Sequence, residues 1–212
     1  MELRSFQYLE ILSLVISILL IPKLKKTHYF LFLPYLLIVV FVDIISHYVI
    51  PKSNIGNHWL FNMYLPIQYS FFSYLHYKAI LNKKIIFFGS VLFSFFFLLN
   101  LLWVQGFWVF NNNTLIFSGI LMIIYSGTFF FELLRRNTTD NILKKPMFWV
   151  SSATLIFFTG FSALFSVFFF YKTSLEAYQA HKQLYLFISQ YVNMIHYLFL
   201  SISIVLVQQE DI

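Results

Sequence analysis

The sequence predicts an all-α, polytopic membrane protein with seven transmembrane helices, its N-terminus outside and its C-terminus in the cytoplasm. Three observations lead there. First, the 212 residues are 60% hydrophobic and only 10% charged, with a mean hydropathy of +0.78. A soluble domain of this length needs about 25% charged residues to cover its surface. Second, the apolar residues fall into seven runs, each near the ~20 residues that a helix needs to cross the hydrocarbon core. Third, charged and turn-forming residues gather in the breaks between those runs.

Helix one is expected over roughly 5–22. The segment "MELRSFQYLEILSLVISILLIPKLKK" lacks a basic leader and a small-residue cleavage site, and its positive cluster follows the apolar run. It reads as a retained helix, not a signal peptide. "PKLKK" stops it. Helix two, 28–50, ends at "PKSNIGN", and helix three, 58–81, ends at "LNKK". Helix four, 84–105, runs into "WVQGFWVFNNN", an interfacial turn carrying belt tryptophans Trp103 and Trp108. Helix five, 113–134, ends at "RRNTTDNILKKP". Helix six, 146–171, is followed by "KTSLEAYQAHK" and helix seven, 183–207. No connection is long enough for a soluble catalytic or DNA-binding domain, so residues 1–212 form a single transmembrane domain.

Positive charge sets the orientation. The first, third and fifth connections hold Lys23, Lys25, Lys26, Lys78, Lys83, Lys84, Arg135, Arg136, Lys144 and Lys145; the opposite side holds Arg4, Lys52, Lys172 and Lys182. The richer side belongs in the cytoplasm. The net charge of +6 is therefore a topology signal, and no nucleic-acid partner is expected. A multi-pass protein of the bacterial inner membrane, with the lipid bilayer as its main partner, is the expected setting. Its oligomeric state is open. The chain has no cysteine, which removes disulfides, thiolate metal sites and cysteine nucleophiles.

Polar groups inside a bilayer are costly, about 2.5–3.5 kcal/mol for a central charge, and each invites a functional reading. Glu10 lies in the outer third of helix one with Ser13 and Ser17 on its face. Asp43, Ser46 and His47 share a face of helix two. Asn62 and Gln68 occupy helix three, Asn100 the outer end of helix four, and Gln183, Gln190, Asn193, Tyr197 and Ser201 a stripe of helix seven beside His196. The inner halves read as Phe, Leu and Ile up to the charged ends. Glu10, Asp43, His47, Asn62, Gln68, Gln190 and Asn193 are thus the candidates for an outward-facing ligand or ion pocket. The competing reading is a hydrogen-bond network that merely joins helices, at about 0.6 kcal/mol per contact. His47 also fits a simple headgroup position.

Pro66 frees a carbonyl in mid-membrane and is either a hinge or a kink that neighbours accommodate. Glu132 with Arg135 and Arg136 reads as an interfacial ion pair; with Lys144 and Lys145 the same arginines are candidates for docking a partner. Small residues on helix six, such as Thr159/Ala163 and Ser162/Ser166, suit close helix packing.

Several chemistries were weighed against these residues. Glu10, Asp43, His47 and His196 are the ligands that a zinc site would use, if there is one. Seven-helix hydrolases related to ceramidases and progestin/adipoQ-type receptors pair an early Ser and His with an Asp and a His-x-x-x-His on the last helix. Here helix seven offers Gln190, Asn193 and His196 instead. A retinal Schiff base needs a membrane lysine, and helix seven has none. No cofactor is expected. The mid-membrane proline of helix three has no partner in helix seven, so the duplicated pattern of SWEET-like sugar transporters is unmatched. A small transporter stays open, with Asp43 or Glu10 as its buried carboxylate.

The runs "FNMYLPIQYSFFSYLHYKAIL", "KKPMFWVSSATLIFFTGFSALF" and "YVNMIHYLFLSISI" together resemble an uncharacterised group of small bacterial seven-helix membrane proteins. The matching positions are Asn62, Pro66, Gln68, Pro146, Trp149 and Asn193. That group is reminiscent of membrane sensor modules that work with histidine kinases. The resemblance implies a receptor-like sensing or signalling module, with a polar pocket on the outer side and a cytoplasmic or membrane signalling partner. A small secondary transporter and an intramembrane metal-dependent hydrolase are the alternatives; an enzymatic role is not favoured.

Overall fold

A computed structural model describes residues 4–50, 56–136, 141–168 and 175–207, without the side chains of Val49, 167–168 and 175–181. The expected breaks at 51–55 and 137–140, the stretch 169–174, and Lys52 and Lys172 with them, lie outside the described residues. Everything described is helix or short connection, with no strand among the described residues.

Helix α1 spans Ser5–Leu19 and is followed by a one-turn helix, Ile21–Leu24, with Pro22 in its first turn. That position suits proline, whose missing N–H would be unbonded there anyway. A 3₁₀ turn over His28–Leu31 is capped by Thr27, whose hydroxyl accepts from the Tyr29 amide at 3.2 Å. It leads into α2, Phe32–Ile44, which widens into a π-helical turn, Ile45–Val49. Next come α3, His58–Ala79, and α4, Lys83–Leu99, which ends in a second π turn, Asn100–Val104. Helix α5 spans Asn112–Arg135. A 3₁₀ turn at Ile142–Lys144 precedes α6, Pro146–Phe168, with Pro146 at the first helical position, and α7 spans Leu175–Leu206.

Five of these segments are long and apolar enough to cross a membrane: His28–Tyr48, Lys83–Val104, Asn112–Arg135, Pro146–Ser166 and Lys182–Leu206. The chain is an integral membrane protein. Helix α1 is apolar but shorter. Helix α3 is long enough but more polar, because Asn62, Gln68, Ser73 and His76 ride on it, and all four are buried inside the bundle. An apolarity threshold penalises the helix whose polar side chains the fold hides best.

The helices close into a ring. Helix α7 packs along both α6 and α1; α1 meets α2, α2 meets α3, and α5 lies between α3 and α6. Helix α3 touches α2, α4, α5 and α6 and is the most central element. Helix α4 leans mainly on α3 and α5, and turns Phe87, Phe88 and Phe95 outward. Two glycines permit this closeness. A Cβ at Gly89 of α4 would meet the Tyr125 hydroxyl at 1.9 Å, and one at Gly119 of α5 would meet Ser162 Oγ at 2.1 Å. Helix α6 meets expectation in part: Ser162 packs closely on Gly119, but Thr159 and Ala163 face outward, and Ser151, Ala153 and Thr154 nearer its start are fully buried. Helices α1 and α7 are joined by the Ser13 and Ser201 hydroxyls at 2.8 Å.

One end of the ring carries Ser5, the π turn of α2 and the start of α3; the other carries the lysine and arginine clusters. The half nearer the basic end is solid. Phe32, Leu36, Phe72, Leu75, Met122, Tyr125, Leu200 and Ile204 are all fully buried there. The sequence had suggested an apolar filling for this half, but polar cross-links run through it. His76 Nδ1 faces the Phe72 carbonyl at 2.8 Å, and its Nε2 lies 3.3 Å from Ser126 Oγ and 3.4 Å from Ser151 Oγ, which ties α3 to α5 and α6. The Tyr69 and Tyr125 hydroxyls meet at 2.9 Å. Buried polar groups are tolerated when paired in this way.

Candidate functional site

In the other half the bundle opens into a cavity of about 570 Å³. That size lies within the range of small-molecule sites. Its walls come from the outer part of α1, the last turns of α2, the first turns of α3 and α5, the last turns of α6 and the first turns of α7. Arg4, Asn57 and His58 form the rim. One turn beyond the deepest lining residues, Tyr35, Leu36, Phe72, Ala153 and Leu200 are all buried, so the cavity ends blind at mid-bundle.

The sequence-derived candidates separate here into three groups. Glu10, Asp43, His47, Gln68 and Asn193 line the cavity together, although they come from α1, α2, α3 and α7. Asn62 is buried but used elsewhere. Its Nδ2 donates to the carbonyls of Phe107 and Val109, both at 2.8 Å, and its Oδ1 accepts from the Asn111 amide at 3.0 Å. It clamps the turn between α4 and α5. Asn100 does the same from the other side, donating to Gln105 Oε1 at 2.8 Å and to Thr114 Oγ1 at 2.9 Å. Gln190 stays outside the cavity wall and donates to Ser5 Oγ at 3.2 Å.

Asp43 is the best-held carboxylate. One oxygen accepts from Gln7 Nε2 of α1 and the other lies 3.0 Å from His47 Nδ1. Gln7 Oε1 in turn accepts from the Arg4 amide at 2.7 Å and from the Tyr48 hydroxyl at 3.2 Å. The π turn contributes here. An extra residue in a helical turn re-aims the side chains beyond it, and Ser46, His47 and Tyr48 all lie in that turn. Ser46 Oγ also approaches His47 Nδ1, at 3.0 Å. A serine-histidine-aspartate relay needs the acid on one ring nitrogen and the hydroxyl on the other. Here both crowd Nδ1, which is a geometry for positioning and not for nucleophilic attack.

Glu10 is the contrasting acid. It is only 2% exposed and lines the cavity, and no hydrogen bond or ion pair reaches its carboxyl from the described residues. The Tyr35 and Tyr64 hydroxyls pair at 3.0 Å, with Gln68 at the same level of the wall. Tyr197 completes that level on α7. Sequence reasoning passed over Gln7, Tyr35 and Tyr64. In a chain with 14 tyrosines no pattern marks the few that face a cavity, and Gln7 sits so near the N-terminus that it reads as an end-of-helix residue.

Pro66 lies within the unbroken α3, between the lining residues Leu65 and Gln68. Of the proposed zinc ligands, His196 is not in the cavity wall but lies behind it. Its Nδ1 faces the Ala153 carbonyl at 3.3 Å and its ring packs on Phe157 with centroids 4.5 Å apart. Among the described residues, no three His, Asp or Glu side chains converge as a metal would require. At the basic end Arg135 and Lys144 are exposed. Arg136 reaches Glu132 at 3.4 Å, and Lys145 is half-buried. Trp149, at a position carried by the resemblance, donates from Nε1 to the Leu143 carbonyl at 2.8 Å and fastens the 3₁₀ turn to α6.

No protein-family model matches this chain, and neither the curated proteins nor the solved structures provide a match.

Proposed function

We propose that the chain crosses a bacterial inner membrane seven times with its N-terminus outside, and works as a receptor-like module. A small ligand enters the cavity from the outer side, and the response reaches a signalling partner at the basic cytoplasmic end. The observation that carries this reading is the blind cavity. It gathers Glu10, Asp43, His47, Gln68 and Asn193 at one end of the bundle and stops above a packed half, as a sensing site does and a conducting path does not. The placement of α1 and α3 in the same ring as the five apolar spans supports seven crossings. The ten cationic residues at the opposite end support the orientation. Pro66, between two cavity residues on the helix that also carries His76 into the packed half, is the natural coupling point between the two ends.

Because the chain has no cysteine, single cysteines report cleanly on this reading. In intact cells an impermeant maleimide should label Asn57→Cys and leave Asn141→Cys untouched until the membrane is opened; the reverse pattern overturns the orientation. A small thiol reagent should reach Gln68→Cys from the Asn57 side alone. Labelling of that position from the basic side as well would replace the receptor by an alternating-access transporter. If Asp43→Asn leaves the labelling rate of Asn141→Cys unchanged in membranes, the two ends are not coupled and the receptor reading fails.

A further inference from the structure

We infer that the ligand class this cavity is built for is a small lipophilic ammonium ion, an amine with an apolar body. The inference rests on the pocket reading above and adds its chemistry. Nine of the lining side chains are phenylalanine or tyrosine, and aromatic faces attract a cation when it is desolvated between them. Glu10 is almost completely buried in that wall, with no hydrogen-bond or ion-pair partner among the described residues. A carboxyl held in an apolar, membrane-embedded site is stable only when a proton or a cation accompanies it. Asp43, the second acid of the wall, is already occupied by Gln7 and His47. That leaves Glu10 as the open acceptor.

The cationic groups that face the same space sit high. Arg4 is six residues before Glu10, about 9 Å along the helix axis, and is exposed at the rim with His58. His47 is engaged with Asp43. No lysine among the described residues lines the cavity, so none of those residues deep in it would hold an anion. A bare metal ion fits poorly, since it wants several oxygen or nitrogen ligands at once and the deep wall is mostly apolar. An ammonium ion matches on both counts. It would point its N–H at Glu10, while its hydrocarbon body would lie against Phe157, Phe161 and Tyr197.

Three probes of similar shape test the class on the full-length protein in a neutral detergent: phenethylamine, 2-phenylethanol and phenylacetate, by calorimetric titration. The amine should bind at least about tenfold more tightly than the alcohol or the acid. Glu10→Gln should weaken the amine about tenfold or more, and Phe161→Leu should weaken it several-fold. Because the Glu10 carboxyl makes no bond that holds helices together, Glu10→Gln should fold like the parent, and Glu10→Asp should restore part of the binding. Equal binding of the amine by the parent and by Glu10→Gln overturns the assignment of Glu10. If the alcohol binds as well as the amine and Leu65→Trp abolishes both, the cationic class is overturned and the pocket reading stands. If none of the three binds, the class is overturned; the pocket reading then falls only if Gln68→Cys is also closed to reagent from the Asn57 side.

Discussion

The two ends of the bundle use the same local motif for different purposes. Asp43 and His47 at one end, and Glu132 and Arg136 at the other, are both acid–base pairs four residues apart on a helix, with separations of 3.0 Å and 3.4 Å. On the helix surface alone either pair would contribute a few tenths of a kcal/mol. Tertiary contacts make them unlike. Glu132 accepts from the backbone amides of Leu81 at 2.8 Å and Asn82 at 3.4 Å, so it fastens the turn between α3 and α4. Asp43 is gripped by Gln7 from another helix and its pair faces an open cavity. The Glu132 pair organises a turn between helices; the Asp43 pair faces the candidate site. The spacing of charges identifies a pair, while its neighbours decide its work.

The same contrast separates the two halves. The half at the basic end is filled by interlocking rings, whereas the half that carries the cavity leaves space between them. Phe72→Ala removes a fully buried ring that packs against Tyr35, Phe71, Phe158 and His196, and should cost about 3–5 kcal/mol. Phe161→Ala, in the cavity wall, removes a ring already facing empty space and should cost much less. Thermal unfolding of the two variants in one detergent compares them directly, and equal losses would erase the distinction between a packed half and a hollow one.

A smaller effect is expected where outer polarity is structural. Asn62→Ala strips three hydrogen bonds from the turn before α5 and leaves buried backbone groups unpaired, which should lower stability by about 2–3 kcal/mol. Gln68→Ala at the cavity wall should fall well below that. A drop for Asn62→Ala no larger than for Gln68→Ala would mean that the turn finds other partners.

The smallest effect sharpens the comparison of the pairs. Glu132→Gln should cost about 1–2 kcal/mol, since the charge on its acceptor oxygens strengthens the two amide bonds. Arg136→Gln removes an exposed pair and a long, exposed hydrogen bond to the Ala79 carbonyl at 3.4 Å, and should stay within about 0.5 kcal/mol. Denaturation monitored by helical signal separates these cases; equal losses would show that the ion pair, not the amide clamp, is what Glu132 contributes.

Much of the architecture was legible because it follows from one requirement. Long apolar stretches must satisfy their backbone hydrogen bonds internally, and in lipid the helix does this within a single segment. Composition, run length and charged breaks therefore determined a helical membrane protein, and the helix-two face with Asp43 and His47 was visible as polarity out of place. What the sequence could not carry was the partner of each polar side chain. Asn62 and Gln68 are six residues apart on one helix, yet one clamps a turn and the other lines a cavity. Asn62 meets backbone atoms more than forty residues away. His76, near the end of α3, is fully buried, and two serines from α5 and α6 come to it. Glu10 is distinguished from Asp43 by two partners, the local His47 and Gln7 of α1, that reach Asp43 and not Glu10. Periodicity and hydropathy are local sums along a chain, so they determined which segments are helices. Cavities and pairings are set by which helices become neighbours, and only the tertiary structure decided those.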